Sequence, residues 1–233
     1  MSNVRTLLSN VKMSEKQIRT VVWEEYARKQ AEGKEPSQTR IFFNAIPKPL
    51  KNRFSSSTQR ILEIGMGNGD YIGKTIGSTG RECIGYDYAE NAVSTAASNG
   101  IQARLINLKE INEKNQLAYL DTLKADLSVA ADILVIRVLE YLGPEAVTLL
   151  IFALLDAAKP GSTLYFETYA VCDKKNSLPN FICNEIENGY VASFFAPRTD
   201  IKFLHHTIND EGVNISSGEV EGTNNRLVVT KLK

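Results

Sequence analysis

The stretch Ile61–Tyr71, "ILEIGMGNGDY", decides the fold. It opens on an apolar run short enough for a buried strand and closes on three alternating glycines, Gly65, Gly67 and Gly69. Glycine reaches φ > 0 without steric penalty and lets a ligand approach the backbone closely. A strand, a glycine turn and a following helix place unpaired N–H groups at the helix start, where they attract polar ligands. The run also carries Glu63, two residues before the first glycine. A carboxylate inside a buried strand is costly unless a cation or hydrogen-bond donor meets it.

Beyond this stretch, short apolar runs alternate with helical stretches. "RILEIG" (60–65) reads as a strand, 70–78 as a helix, "ECIGYDY" (82–88) as a strand and 89–100 as a helix ending at Gly100. "ARLINL" (103–108) is a third strand, 112–124 a polar helix and "ADILVIRV" (131–138) a fourth strand. A helix over 143–161 starts at a proline and stops at Pro-Gly. "STLYFETYA" (162–170) is a fifth strand. Further on, 180–189 reads as a helix, and "IKFLHHTIN" (201–209) and "NRLVVTKL" (225–232) as two closing strands. This order predicts an α/β fold, a Rossmann-like, seven-stranded, mostly parallel sheet with helices on both faces. In such sheets ligands bind beyond the carboxyl ends of the strands, where the strand order reverses.

The second strand ends in Asp87, twenty-two residues after Gly65. A carboxylate at that position accepts hydrogen bonds from ribose hydroxyls; its ordinary structural duty would be to cap the next helix. The dinucleotide fingerprint is G-x-G-x-x-G, but here the third glycine comes one residue early and Asp70 follows it. With Glu63 beside the loop, an adenosyl sulfonium, which carries an ammonium and no phosphate, suits the site better than a pyrophosphate.

On these residues the chain resembles the class I S-adenosylmethionine-dependent methyltransferases. "LEIGMGNGDY" is similar to their first motif and "IGYDYAENAV" to the next. "ADILVIRVLEYL" and "ALLDAAKPGSTLYFE" are similar to their strand-4 and strand-5 segments. The resemblance covers about residues 60–170. It implies S-adenosylmethionine (SAM) as cofactor, with Gly65, Gly67 and Gly69 lining its methionine part, Glu63 facing its amino group directly or through water, and Met66 and Tyr71 among the cofactor-binding residues. It implies Asp87 on the ribose, Tyr88 against the adenine, Leu108 and Lys109 near it, and Arg137 after strand 4. The family often has an acid after strand 3 that meets the adenine amino group; here Leu108 and Lys109 stand near that point, with Glu110 one step on.

Methyl transfer from a sulfonium needs alignment and exclusion of water, and a base only when the nucleophile arrives protonated. Glu140 and Tyr141, which follow strand 4, are the candidate bases, with His205 and His206 in a late strand. Neighbours in a strand point to opposite faces, so at most one of the two histidines faces a cleft; the candidate is His206. Their competing reading is ordinary packing. After strand 4 the chain has "IRVLEYLGP" rather than the N/D-P-P-Y/F of enzymes that methylate exocyclic amines of DNA, and no basic stripe with interleaved aromatics occurs. A small-molecule acceptor is the leading reading. The alternatives are a SAM-binding partner subunit or sensor without turnover, a protein or RNA methyltransferase, and an NAD-type oxidoreductase, the last disfavoured by the glycine spacing.

Over the 233 residues the formal charge is zero, which gives no global field for nucleic acid or membrane. Residues 1–60 hold twelve Lys/Arg against five Glu, a local charge of +7. They contain one helical pattern, 14–32, with Trp23 and Tyr26 on its apolar face, then three prolines and the apolar connector 41–54. The segment 1–58 is expected to form a helical lid on the domain 59–233, either docked on its more acidic body or greeting an anionic substrate. The cysteines, Cys83, Cys172 and Cys183, are odd in number, and with the histidines they match no common zinc spacing, so no metal is expected. That usage, with no signal-peptide core and no apolar run of membrane-spanning length, gives a cytoplasmic expectation.

Overall fold

A computed structural model describes residues 52–54, 56–69, 72, 80–112, 114, 116–169, 190–213 and 220–233. The expected lid helix over 14–32, most of the helix over 70–78, the helix over 180–189, Tyr71, Cys172 and Cys183 lie outside the described residues. Strand β1 (Ile61–Ile64) is followed by β2 (Cys83–Asp87), α1 (Glu90–Ser98) and β3 (Gln102–Leu105). Then come α2 (Gln116–Leu127), β4 (Asp132–Ile136), α3 (Pro144–Ala157), β5 (Thr163–Tyr169), the short α4 (Tyr190–Ser193), β6 (Ile201–Val213) and β7 (Val220–Lys231). Single 3-10 turns stand at Leu108–Glu110 and Leu139–Tyr141.

The seven strands form one sheet in the order β3-β2-β1-β4-β5-β7-β6. Strands β1 to β5 pair in parallel, and β7 is antiparallel to both β5 and β6. The chain runs outward from β1 through β2 to β3, then returns to build β4 on the other flank of β1. The order therefore reverses between β1 and β4, and a crevice is expected beyond their carboxyl ends.

Alternation sorts the strands into two apolar layers. Leu62, Ile64, Ile84, Tyr86, Ile133, Val135, Leu164 and Phe166 meet α2 and α3 in the larger core. Ile61, Cys83, Leu134 and Tyr165 point to the other face and pack with Phe54, Ile72, Ala96 of α1 and Ile101. The central strands are buried on both faces, which is why they read as continuous apolar runs.

At the amino end of the sheet Asp132, wholly buried, accepts hydrogen bonds from the equally buried Arg81 (2.6 Å) and from Arg53 (2.8 Å). Arg81 also donates to the carbonyls of Gln59 and Phe54. This cluster ties residues 53–60 to the end of the sheet opposite the glycine turn.

Three boundaries differ from the periodicity. Strand β3 ends at Leu105 because the chain turns into Leu108–Glu110, and α2 starts and ends later than expected. The β6–β7 hairpin is longer than the apolar alternation, since the far rungs Asp210, Glu211 and Gly212 against Asn224, Thr223 and Gly222 are polar or glycine, and apolar pairing returns only at Val213 against Val220. Register shifts break the edge strand β6 after Phe203 and after Thr207. Such bulges on an edge discourage pairing with other chains.

Candidate functional site

The glycine turn is held by the backbone of β2. Gly65 and Met66 N–H groups both donate to the carbonyl oxygen of Tyr86 (2.7 and 3.1 Å), and Gly69 N–H closes the turn onto Met66 (3.0 Å). Gly65, Gly67 and Gly69 have φ of 75°, 54° and 74°. A Cβ at Gly65 would overlap Val138 just after β4, and one at Gly69 would overlap Ile101. The first and third glycines thus admit close packing on both sides of the turn as well as the backbone conformation itself.

Asp87 locks the turn. Its carboxylate accepts from Gly67 N–H (2.9 Å) and from Ala89 N–H at the start of α1 (3.0 Å). The capping role and a place at the carboxyl edge beside the turn therefore coexist in one side chain. The Met66 side chain packs inward while its backbone lies in the turn. Its thioether fills the notch left by Gly85, where a Cβ would overlap Sδ, so the side chain belongs to the core and only the backbone to the turn.

Glu63 is 4% exposed, in register between Gly85 of β2 and Leu134 of β4. Its Oε2 is buried without a hydrogen-bond partner. Burial first, then the nearby Asp87 carboxylate, push its pKa up to about 8, against a backbone hydrogen bond from Ile72 that lowers it. A buried carboxyl with an open oxygen is an acceptor awaiting a donor.

Tyr88 and Lys109 meet after β2 and β3, with the Lys109 ammonium 4.4 Å from the centroid of the Tyr88 ring, a cation–π pair. Leu108 is buried beneath them in the 3-10 turn, which Asn107 caps by accepting from Lys109 N–H. The three residues expected near an adenine are brought to one edge of the sheet.

Beyond β4, Arg137 has φ 55°, the one non-glycine with positive φ among the described residues. The left-handed region costs a side-chain-bearing residue of order 1 kcal/mol or more, and such strain gathers at functional sites. Arg137 Nε donates to Glu167 Oε1 (2.9 Å), its backbone N–H donates to the Glu167 carbonyl (2.9 Å), and the Tyr165 hydroxyl donates to Glu167 Oε2 (3.1 Å). Glu167 was not singled out from the sequence. The signal was an acid inside the apolar run "TLYFETY", the same signal that marked Glu63. Glu140, 1% exposed, and Tyr141 follow in the 3-10 turn at the same edge.

His206 does not join this cluster. It pairs with Leu227, which pairs with Phe166, so it stands mid-strand on the edge strand β6 rather than at a carboxyl end. Strand β6 lies four strand spacings from β1, roughly 19 Å. The side chains of His205 and His206 lie outside the described residues. Among the described residues no group of histidine, cysteine and acid side chains has the makings of a metal site, and no helix is long and apolar enough to cross a membrane.

No family model and no curated protein matches the chain. Solved structures do. Magnesium protoporphyrin IX methyltransferase from Synechocystis PCC 6803, a structure with bound SAM, is similar over 95% of this chain and 99% of that chain, with TM-score 0.61 and 11% identity. TehB from Haemophilus influenzae is similar with TM-score 0.58 and 15% identity over 81% of this chain, which spans 63% of that protein. The [4+2]-cyclase SpnF is similar with TM-score 0.52 and 10% identity over 79% of this chain and 80% of that one. At these identities the likeness concerns architecture, and the chemistry has to be argued from the site. The chain has the fold of the class I SAM-dependent methyltransferases.

Proposed function

We propose that the chain is an SAM-dependent methyltransferase that passes a methyl group to a small-molecule acceptor by in-line displacement. The observation that carries this is Glu63, a buried carboxyl with an open oxygen beside three positive-φ glycines and Asp87. A pyrophosphate brought there would meet two carboxyl groups. An ammonium or sulfonium would be welcomed by them, and the fold neighbour with bound SAM agrees with that choice.

The residues present fit such a cofactor. Glu63 and the glycine turn would hold its amino-acid end, Asp87 its ribose, and Tyr88 with Leu108 and Lys109 its base. When bound it supplies an already activated methyl group. The chain's part is then to orient the acceptor and keep water away. Glu140 and Tyr141, at the same edge, are the groups proposed to take or relay a proton from an acceptor hydroxyl or ammonium. Arg137 stands at the mouth of β4 and β5 with its charge balanced by Glu167, so what favours an anionic acceptor is the basic segment 1–60. "IRVLEYLGP" after β4 speaks against exocyclic amines of DNA. The buried free thiol of Cys83 accords with a cytoplasmic setting.

Calorimetry with S-adenosylhomocysteine (SAH) and with NAD tests the cofactor class: binding of SAH alone is expected. Incubation with SAM and panels of small anionic acceptors then tests turnover. SAH formation only with protein or RNA acceptors would replace the small-molecule reading. Binding without any turnover would favour a sensor or partner subunit, a distinction the cyclase neighbour makes worth drawing.

A further inference from the structure

Glu63 is placed where its charge state must depend on what occupies the site. It sits in the middle of the sheet, in register with Gly85 and Leu134, so no side chain from β2 covers it at that level and β4 offers only hydrocarbon. On the same face, β2 contributes Asp87 toward the turn and Cys83 toward the amino end. The Cys83 thiol is itself pushed up to about 11, chiefly by burial. From β5 come Tyr165 and Glu167, whose carboxylate is engaged by Arg137 and by the Tyr165 hydroxyl. The charge of Arg81 is taken by Asp132. Among the described residues, then, no cation is paired with Glu63, and the charged group that acts on it is another acid, Asp87.

We propose that Glu63 is a charge-selecting residue: neutral in the empty site, it surrenders its proton to solvent when a ligand brings an ammonium to Oε2, so that cationic ligands bind with release of a proton and uncharged ones without. This rests on the cofactor reading above for the identity of the ligand. The balance is simple. The carboxyl O–H bond breaks, the proton passes to the buffer, and the carboxylate left behind is neutralised by the arriving ammonium. Geometry makes the exchange obligatory, because a buried carboxylate and a buried ammonium are each costly alone and tolerable together. The raised pKa of about 8 gives the scale: at pH 7 about nine-tenths of the empty protein carries the proton.

The test is calorimetric titration of the full chain with SAH at pH 7 in buffers of different ionisation enthalpy, which counts protons directly. Release of close to one proton per SAH is expected, falling to about half a proton at pH 8. 5′-Methylthioadenosine, which has the adenosine and the thioether but no ammonium, is expected to bind without release. Glu63→Gln should bind SAH more weakly and release no proton. Should that variant fold poorly, carboxyl-carbon NMR of the ligand-free wild type decides, by a carboxyl that titrates near pH 8 and is charged throughout when SAH is present. SAH binding without proton release, or equal release by 5′-methylthioadenosine, overturns the proposal and leaves the methyltransferase reading standing. No SAH binding at all overturns both.

Discussion

Replacing Asp87 by alanine removes a side chain that bridges the glycine turn and the start of α1. Two backbone donors, Gly67 N–H and Ala89 N–H, lose a carboxylate at 2.9 and 3.0 Å. Hydrogen bonds to a charged group contribute roughly 1.5–3 kcal/mol each when buried. Asp87 is only half-buried and water can reach the freed donors, so each bond falls below that range, at about 1 kcal/mol, and the pair contributes about 2 kcal/mol. In a domain of this size that lowers Tm by about 4–8 °C. Urea denaturation of the ligand-free protein measures it, and Asp87→Asn, which keeps one acceptor oxygen, should fall between wild type and alanine. The same variant should weaken SAH by a further 1–3 kcal/mol if the carboxylate also reaches the ribose. Loss of its charge should in addition let the Glu63 carboxyl titrate at lower pH, since Asp87 is the second cause of the upward shift. A stability within about 0.5 kcal/mol of wild type would mean that this carboxylate does not tie the turn. A stability loss with unchanged SAH affinity would make Asp87 a cap and nothing more.

Gly69→Ala combines φ near 74° with a Cβ that meets Ile101 and lies 3.1 Å from Ala96 Cβ; a loss of about 2–3 kcal/mol is expected in urea titrations. Asp132→Ala strands the fully buried Arg81 without its carboxylate and should cost about 3–5 kcal/mol, a change readable as a lowered denaturation midpoint, with no site residue touched. Glu63 gives a pH signature. Its folded pKa lies above the unfolded 4.5, so the native state holds the extra proton, and ligand-free stability is fully present below about pH 4.5 and declines as pH rises towards 8. The decline is on the order of 4 kcal/mol across that window, and Glu63→Gln should remove it in thermal melts collected from pH 5 to 9.

The features of the site that were legible in the sequence are those fixed by local backbone need. Gly65, Gly67 and Gly69 announce themselves because only a turn with φ > 0 wants glycine in that rhythm. Glu63 and Asp87 stand out as acids at strand positions where burial makes an acid expensive. What stayed illegible depends on register between distant segments. Arg137 was picked out, but its partner Glu167 is thirty residues away and meets it only because β4 and β5 pair with Ile136 opposite Glu167. The fit of Met66 into the space above Gly85 is likewise a property of two strands side by side. The outer rungs of β6 and β7 were missed because three of them, Asp210 with Asn224, Glu211 with Thr223 and Gly212 with Gly222, are polar or glycine and carry no apolar alternation. The lid proposed over residues 1–58 stays a proposal; hydrogen exchange over residues 18–46 with and without SAH tests it.

The insertion of β7 between β5 and β6 sets the order in which the molecule can be completed. Strand β5 is buried from Thr163 to Thr168, with the large apolar side chains Leu164, Tyr165 and Phe166 in its middle. Its outer edge is satisfied only by β7, whose paired residues lie at least 55 positions later in sequence, from Tyr169 with Asn224 back to Thr163 with Thr230. During synthesis β1 to β5 can assemble while that edge is still bare, and the loop that must close to cover it is long and entropically slow. A partly made chain therefore carries an open, sticky strand edge of the kind that recruits other chains. Because β6 and β7 are sequence neighbours, their hairpin can form first and dock as a unit, so the dwell time of the bare edge is governed by one docking event rather than two.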